Sequence, residues 1–202
     1  MAANAVVEFV FGLGSRYSYL AATQLGRIRQ ASGCELVWTP VSSIEIMELR
    51  GQSPFSGAPA SGQYDWAYRK SDAEAWAAYY GVPFVEPRPA PEDHRLMAVA
   101  CRAAGAFSAM VPYIHALFRA VFEEHREINP NVCVDLAARQ GIDRQKFGAA
   151  LMDPKVRARV SEDARATAAK GVFGVPTFLV DDRLFWGNDR LVLLERYLAI
   201  RR

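Results

Sequence analysis

The chain has 202 residues, 51% of them hydrophobic and 23% charged, which allows one sizeable core and excludes global disorder. Its 24 Lys and Arg against 22 Asp and Glu leave a net charge of +2, with no basic block to track a phosphate backbone, so nucleic acid is not an expected partner. No apolar run approaches the roughly 20 residues of a membrane span, and Met1–Ala5 has neither a positive n-region nor an apolar h-region, so a soluble, cytoplasmic protein is expected.

Residues 6–11 (VVEFVF) are β-branched and aromatic and read as a buried strand. A helix follows from Ser15, with Tyr17, Ala21, Leu25 and Ile28 on one face and Ser32-Gly33 as its stop. Residues 35–39 form a second strand ended by Pro40. This β-α-β order implies a parallel pair with a right-handed crossover. Residues 51–62, rich in Gly, Pro and Ser, read as a loop. Helical patterns occupy the middle. One runs from Tyr64 to Tyr80 and stops at Gly81-Val82-Pro83. A second carries Leu96, Val99, Ala103 and Phe107 on one face, and a third carries Val111, Ile114, Phe118 and Val121. Asn129-Pro130 opens a helix that Gly141 ends, Asp143–Leu151 reads as a short turn, and Asp153-Pro154 opens another helix. Strands return at Pro176–Val180 and Arg183–Trp186, joined by Asp181-Asp182, before a last helix with Leu191, Leu194 and Leu198 on one stripe.

The expected fold is therefore α/β, a thioredoxin-like β-α-β … β-β-α sheet interrupted by an all-helical insertion. Residues 1–60 and 150–202 are expected to form the sheet domain and 61–149 the insertion. Cys34, Cys101 and Cys133 are scattered and form no C-x-x-C, which suits a core role in a reducing compartment. His94, His115 and His125 form no H-E-x-x-H. No metal site is expected, and each histidine is expected on a solvated helix face.

Two places can carry chemistry. Ser15 lies where the first strand ends and the first helix begins, among unpaired N–H groups at the positive end of the helix dipole. It reads either as an N-cap worth about 1 kcal/mol or as a donor to a bound anion or thiolate. Pro176 opens a strand after a helix, which is an ordinary trans proline or a cis-proline site; the thioredoxin-like order favours cis, with Val175 offering its backbone to a peptide-like ligand.

Residues 8–21 (EFVFGLGSRYSYLA), together with 171–178 (GVFGVPTF) and 184–191 (LFWGNDRL), resemble the 2-hydroxychromene-2-carboxylate isomerases and their relatives, the kappa-class glutathione transferases. Tyr68–Phe84 resembles the family's first inserted helix. The resemblance implies a DsbA-like thioredoxin fold that has lost its redox cysteines and takes its thiol from glutathione. Ser15 matches the catalytic serine. Val175 and Pro176 match the backbone that pairs with the cysteinyl unit, and Trp186, Gly187, Asn188 and Asp189 match the segment holding the γ-glutamyl end. A carboxylate such as Asp189 suits an ammonium, although helix capping for Asp189 and packing for Trp186 are the plainer readings. Three positions depart from the pattern: Gly12 replaces an acidic residue, Arg16 a proline and Asp93 an asparagine. Arg16 either adds positive potential near the sulfur or points to solvent. Arg16, Arg88 and Asp93 are the candidates for the substrate end. The implied activity is glutathione-dependent cis–trans isomerisation of 2-hydroxychromene-2-carboxylate and trans-o-hydroxybenzylidenepyruvate in aromatic hydrocarbon catabolism, by a homodimer. The alternatives are a kappa-like transferase and a non-enzymatic glutathione or peptide binder.

Overall fold

Four strands and nine α-helices succeed one another among the described residues of the computed structural model, which are 4–51, 66–87 and 91–201. Strand β1 (Val6–Phe11) is followed by α1 (Arg16–Ser32), β2 (Glu35–Pro40) and α2 (Ser43–Leu49). Helices α3 (Trp66–Tyr80), α4 (Pro91–Gly105), α5 (Met110–Phe122), α6 (Pro130–Arg139), α7 (Arg144–Met152) and α8 (Pro154–Ala169) precede β3 (Thr177–Val180) and β4 (Arg183–Trp186). A 3₁₀ turn at Asn188–Arg190 leads into α9 (Leu191–Ile200). The sheet order is β2-β1-β3-β4, with β1 parallel to β2 and antiparallel to β3. This is the thioredoxin-like arrangement expected from the chain order.

Alternation along β1 distributes its side chains to the two faces of the sheet. Phe9 and Phe11 enter the large core with Trp38, Phe118 and Phe178, while Val10 joins a smaller cluster with Val41, Ile46, Ala164 and Val172. Phe9 stacks on Phe178 at 5.1 Å and meets Trp38 edge-on at 5.1 Å. Helices α3 to α7 pack into that large core, where Tyr19 stacks on Phe122 at 4.9 Å and donates its hydroxyl to Pro83 O at 2.6 Å. Among the described residues no helix is long and apolar enough to cross a membrane.

Most helix ends follow their local signals. Ser15 caps α1 and Gly33 closes it in the left-handed region. Asn129 accepts from Val132 N–H with Pro130 in the first turn, and Asp153 accepts from Lys155 N–H with Pro154 likewise. Three expectations need correction. The segment after Asp143 is the helix α7 and not a turn, because Asp143 caps Lys146 N–H and Phe147 and Leu151 bury one turn apart. Helix α2 was missed, although Ser42 and Glu45 have capping-box spacing and Ser42 accepts from Glu45 N–H. His94 does not lie on a solvated face: it is half-buried against the loop before α1, whereas His115 is exposed, as expected, with its ring edge-on to Trp38 at 5.3 Å. Most of the loop expected at 51–62 lies outside the described residues.

Candidate functional site

A tight loop ends β1 and starts α1. Ser15 N–H donates to Gly12 O at 3.1 Å, Ser18 N–H to Ser15 Oγ at 3.3 Å and Gly12 N–H to Ser18 Oγ at 3.3 Å. Ser15 is thus the N-cap of α1. Its hydroxyl proton is still available outward, because a hydroxyl accepts and donates at once. The capping role and an anion-binding role are compatible.

Neighbours press on this loop at both glycines. A Cβ at Gly12 would lie 3.2 Å from Val175 Cγ2 and 3.3 Å from Ser43 Cβ. No larger side chain fits there without displacing one of them, which accounts for glycine where an acidic residue was the family expectation. A Cβ at Gly14 would fall into the edge of the His94 ring, 2.7 Å from both Nδ1 and Nε2. Ser43 Oγ is 3.0 Å from His94 Nδ1. Gly12, Gly14, Ser15, Ser43, His94 and Val175 therefore form one contiguous cluster.

The Val175–Pro176 peptide is cis, and Gly187 N–H donates to Pro176 O at 2.9 Å. Val175, Pro176, Trp186, Gly187, Asn188 and Asp189 share a cavity of about 480 Å³ with Tyr17, Tyr68, Arg69, Asp72, Trp76 and Arg190. All six C-terminal site candidates are thus brought together. Ser15 does not line this cavity, but Tyr17, two residues on, does. Trp186 is 44% exposed and packs its indole across Gly174 and against Phe173, with ring centroids 4.9 Å apart. Asn188 is 2% exposed, accepts from Tyr80 O–H at 3.2 Å and leaves Nδ2 without a hydrogen-bond partner among the described residues. A buried amide with an unmet donor is costly unless an oxygen in the cavity, of a ligand or of water, satisfies it. Asp189 is exposed and pairs with Arg190 at 2.5 Å.

The substrate-end candidates separate. Arg16 is buried and bridges Glu86 at 2.5 Å, so its guanidinium lies neither in solvent nor apart from a counter-charge. Burial lowers its pKa, with Glu86 opposing, and burial likewise pushes the Glu86 carboxyl up, with Arg16 opposing. Asp93 is half-buried in the first turn of α4, as expected, beside His94. Arg88 lies outside the described residues.

One face of α3 was not read from the sequence as part of the site. Tyr68, Asp72, Trp76 and Tyr80 recur at i+4, a visible signal. Tyr17 O–H donates to Asp72 Oδ2 at 2.7 Å. Burial, then this hydrogen bond, pushes the Tyr17 phenol up to about 12, so it remains a donor at neutral pH. His94 and Ser43 were missed for another reason, since no local motif links them.

The DSBA-like thioredoxin domain profile matches residues 6–199. A 2-hydroxychromene-2-carboxylate isomerase of Pseudomonas putida is 30% identical over 191 residues, covering 94% of this chain and 92% of that protein. The chain belongs to the 2-hydroxychromene-2-carboxylate isomerase family. A protein of the same name from Sphingobium xenophagum is 29% identical, covering 95% of this chain and 97% of its own length. The solved structure of a 2-hydroxychromene-2-carboxylate isomerase superposes with a TM-score of 0.84 at 29% identity, covering 96% of this chain and 94% of that one. A probable DsbA oxidoreductase from Streptomyces coelicolor shares the fold, with a TM-score of 0.75 at 19% identity, covering 96% of this chain and 88% of that one. Membership makes this chain an enzyme of the isomerase class. Its cysteines are not placed for dithiol chemistry: Cys34, Cys101 and Cys133 are buried and free. Burial pushes Cys133 up to about 11 and Cys101 well up, so both stay as thiols.

Proposed function

We propose that this isomerase-family chain is glutathione-dependent and interconverts 2-hydroxychromene-2-carboxylate and trans-o-hydroxybenzylidenepyruvate. The observation that carries the glutathione reading is the unmet Asn188 amide in a cavity shared by Val175, Pro176, Trp186, Gly187 and Asp189. Such a cavity offers a peptide-like ligand an open backbone at Val175, an amide donor at Asn188 and a carboxylate for its ammonium at Asp189. Arg190 already pairs with Asp189, so the ammonium would share or displace that cation.

Bound glutathione would supply a thiolate that adds to a conjugated alkene, frees the bond to rotate, and leaves. The chain's own residues would prepare that thiolate. Ser15 O–H donates toward the sulfur while its oxygen caps Ser18 N–H. The N-terminus of α1 adds its positive end. The loop of residues 12–15 is held by Val175, Ser43 and His94, so the donor is fixed before substrate arrives.

One feature favours a second reading, a kappa-like transferase that releases the conjugate. Asp93 precedes His94 in the first turn of α4 and acts electrostatically on its ring, so a carboxylate-bearing substrate brought near His94 meets a like charge. Thiol-free enzyme, assayed on the chromene with and without added glutathione, tests both. Turnover to the trans isomer only with glutathione is the expected result. Full activity without it overturns the proposal, and accumulation of a stable conjugate moves the assignment to the transferase.

A further inference from the structure

His94 is the one imidazole in the cluster that holds Ser15. Its ring lies with the Nδ1–Cε1–Nε2 edge on Gly14, directly before Ser15. Nδ1 is engaged by Ser43 Oγ at 3.0 Å. Among the described residues no hydrogen bond reaches Nε2, which stands at Gly14 where a Cβ would be 2.7 Å away. Ser43 in turn touches Gly12, and Gly12 touches Val175. The imidazole thus meets the same short loop that presents Ser15 on one side and Val175 on the other. In the tautomer that donates Nδ1–H to Ser43 Oγ, Nε2 carries a lone pair.

We propose that His94 is the proton acceptor for the thiol that binds at Ser15. This inference rests on the glutathione reading above. His94 Nε2 takes the proton as the S–H bond breaks; the electron pair stays on sulfur, where Ser15 O–H steadies it. The proton returns when the thiol is released, so no other reactant is needed. Burial holds the imidazole below its ordinary pKa, with Asp93 on the same helix opposing. The ring is therefore neutral near pH 7 before the thiol binds, and the thiolate formed beside it then favours the imidazolium. Among the described residues the groups placed against it from other elements, Ser43 of α2 and the Gly14 backbone, carry no charge, and Asp93 favours the imidazolium once formed.

The test uses the binary complex with glutathione and needs no turnover. Calorimetry in buffers of different ionisation enthalpy counts protons released per glutathione bound, and the ultraviolet thiolate band gives the pH of half-ionisation. Wild-type enzyme should form thiolate near neutral pH while releasing few protons. In His94→Gln the half-ionisation pH should rise by about one unit, a tenfold drop in the thiolate-to-thiol ratio, and the thiolate that does form should release its proton to buffer. Turnover should fall about 100-fold. Affinity for S-methylglutathione, which has no thiol proton, should be unchanged; a purely structural role would weaken it too. Ser43→Ala, which keeps the imidazole but frees Nδ1, should shift the thiolate titration in the same direction by less, and it serves if His94→Gln fails to fold. Glutathione binding with an unaltered titration and proton count in both variants overturns the role of His94 alone. Failure of wild-type enzyme to bind glutathione overturns the functional reading beneath it.

Discussion

Ser15 concentrates two jobs in one hydroxyl. Its oxygen accepts from Ser18 N–H at 3.3 Å, and in the proposed function its proton is the donor offered to a bound sulfur. Ser15→Ala removes both. The lost cap costs about 1 kcal/mol of stability, and the lost charge-assisted bond, about 1.5–3 kcal/mol, should raise the pH at which bound glutathione ionises by one to two units. Ser15→Gly is the informative partner, because glycine restores most of the capping preference without the donor. If both variants titrate as wild type, Ser15 is a cap and nothing more. Arg16 gives a contrasting lesson at the same scale. It adjoins Ser15 in sequence, yet its guanidinium is committed to Glu86 under cover. Adjacency in a helix's first turn does not give adjacency to the sulfur, since successive side chains there point about 100° apart.

Among the elements, α3 decides how the cavity closes. Two hydrogen bonds among the described residues help fasten it, Tyr17 O–H to Asp72 at its middle and Tyr80 O–H to Asn188 at its end. Trp76 lies between them on the same face and lines the cavity. Tyr17→Phe keeps the ring and deletes only the first fastening. The expected outcome is a loss of about 1 kcal/mol in chemical denaturation with a several-fold weaker Kd for glutathione. Unchanged affinity would mean that α3 is held by packing and not by this bond. Helix α2 acts on the other side of the loop, where its first residue, Ser43, reaches both Gly12 and His94. The Ser42–Glu45 capping box that starts α2 fixes where Ser43 stands.

At the scale of the whole molecule, two histidines, His94 half-buried and His115 exposed but packed edge-on to Trp38, couple stability to pH. His94 and His115 both have folded-state pKa values lowered from 6.5 by burial, opposed by Asp93 for His94 and reinforced by Arg119 for His115. A lowered folded pKa means that the unfolded chain binds protons first as pH falls. Their contribution is therefore fully present above pH 6.5 and is lost as pH falls through the lowered values. The denaturation midpoint should be level above neutrality and decline on mild acidification, before the carboxylates titrate. His115→Gln, away from the site, should make that decline shallower. An identical slope would place the acid sensitivity elsewhere.

The sequence by itself determined the strand order, most of the helices and their ends, and the C-terminal residues that come to share one cavity. These rest on short-range physics: an Asn or Asp side chain caps an N–H two or three residues on, Gly33 takes the left-handed turn, and apolar residues repeat at the period of their own element. Even the missed α2 had its capping box in plain view. Tertiary structure alone decided which side chains share a space. Ser43 and His94 are 51 residues apart, and Tyr17 and Asp72 are 55 apart. No local pattern links such pairs, because their meeting depends on how α2 and α4, or α1 and α3, dock through the core. The same docking put Arg16 on Glu86 and the histidine edge on Gly14, and so chose which charged groups stand near Ser15.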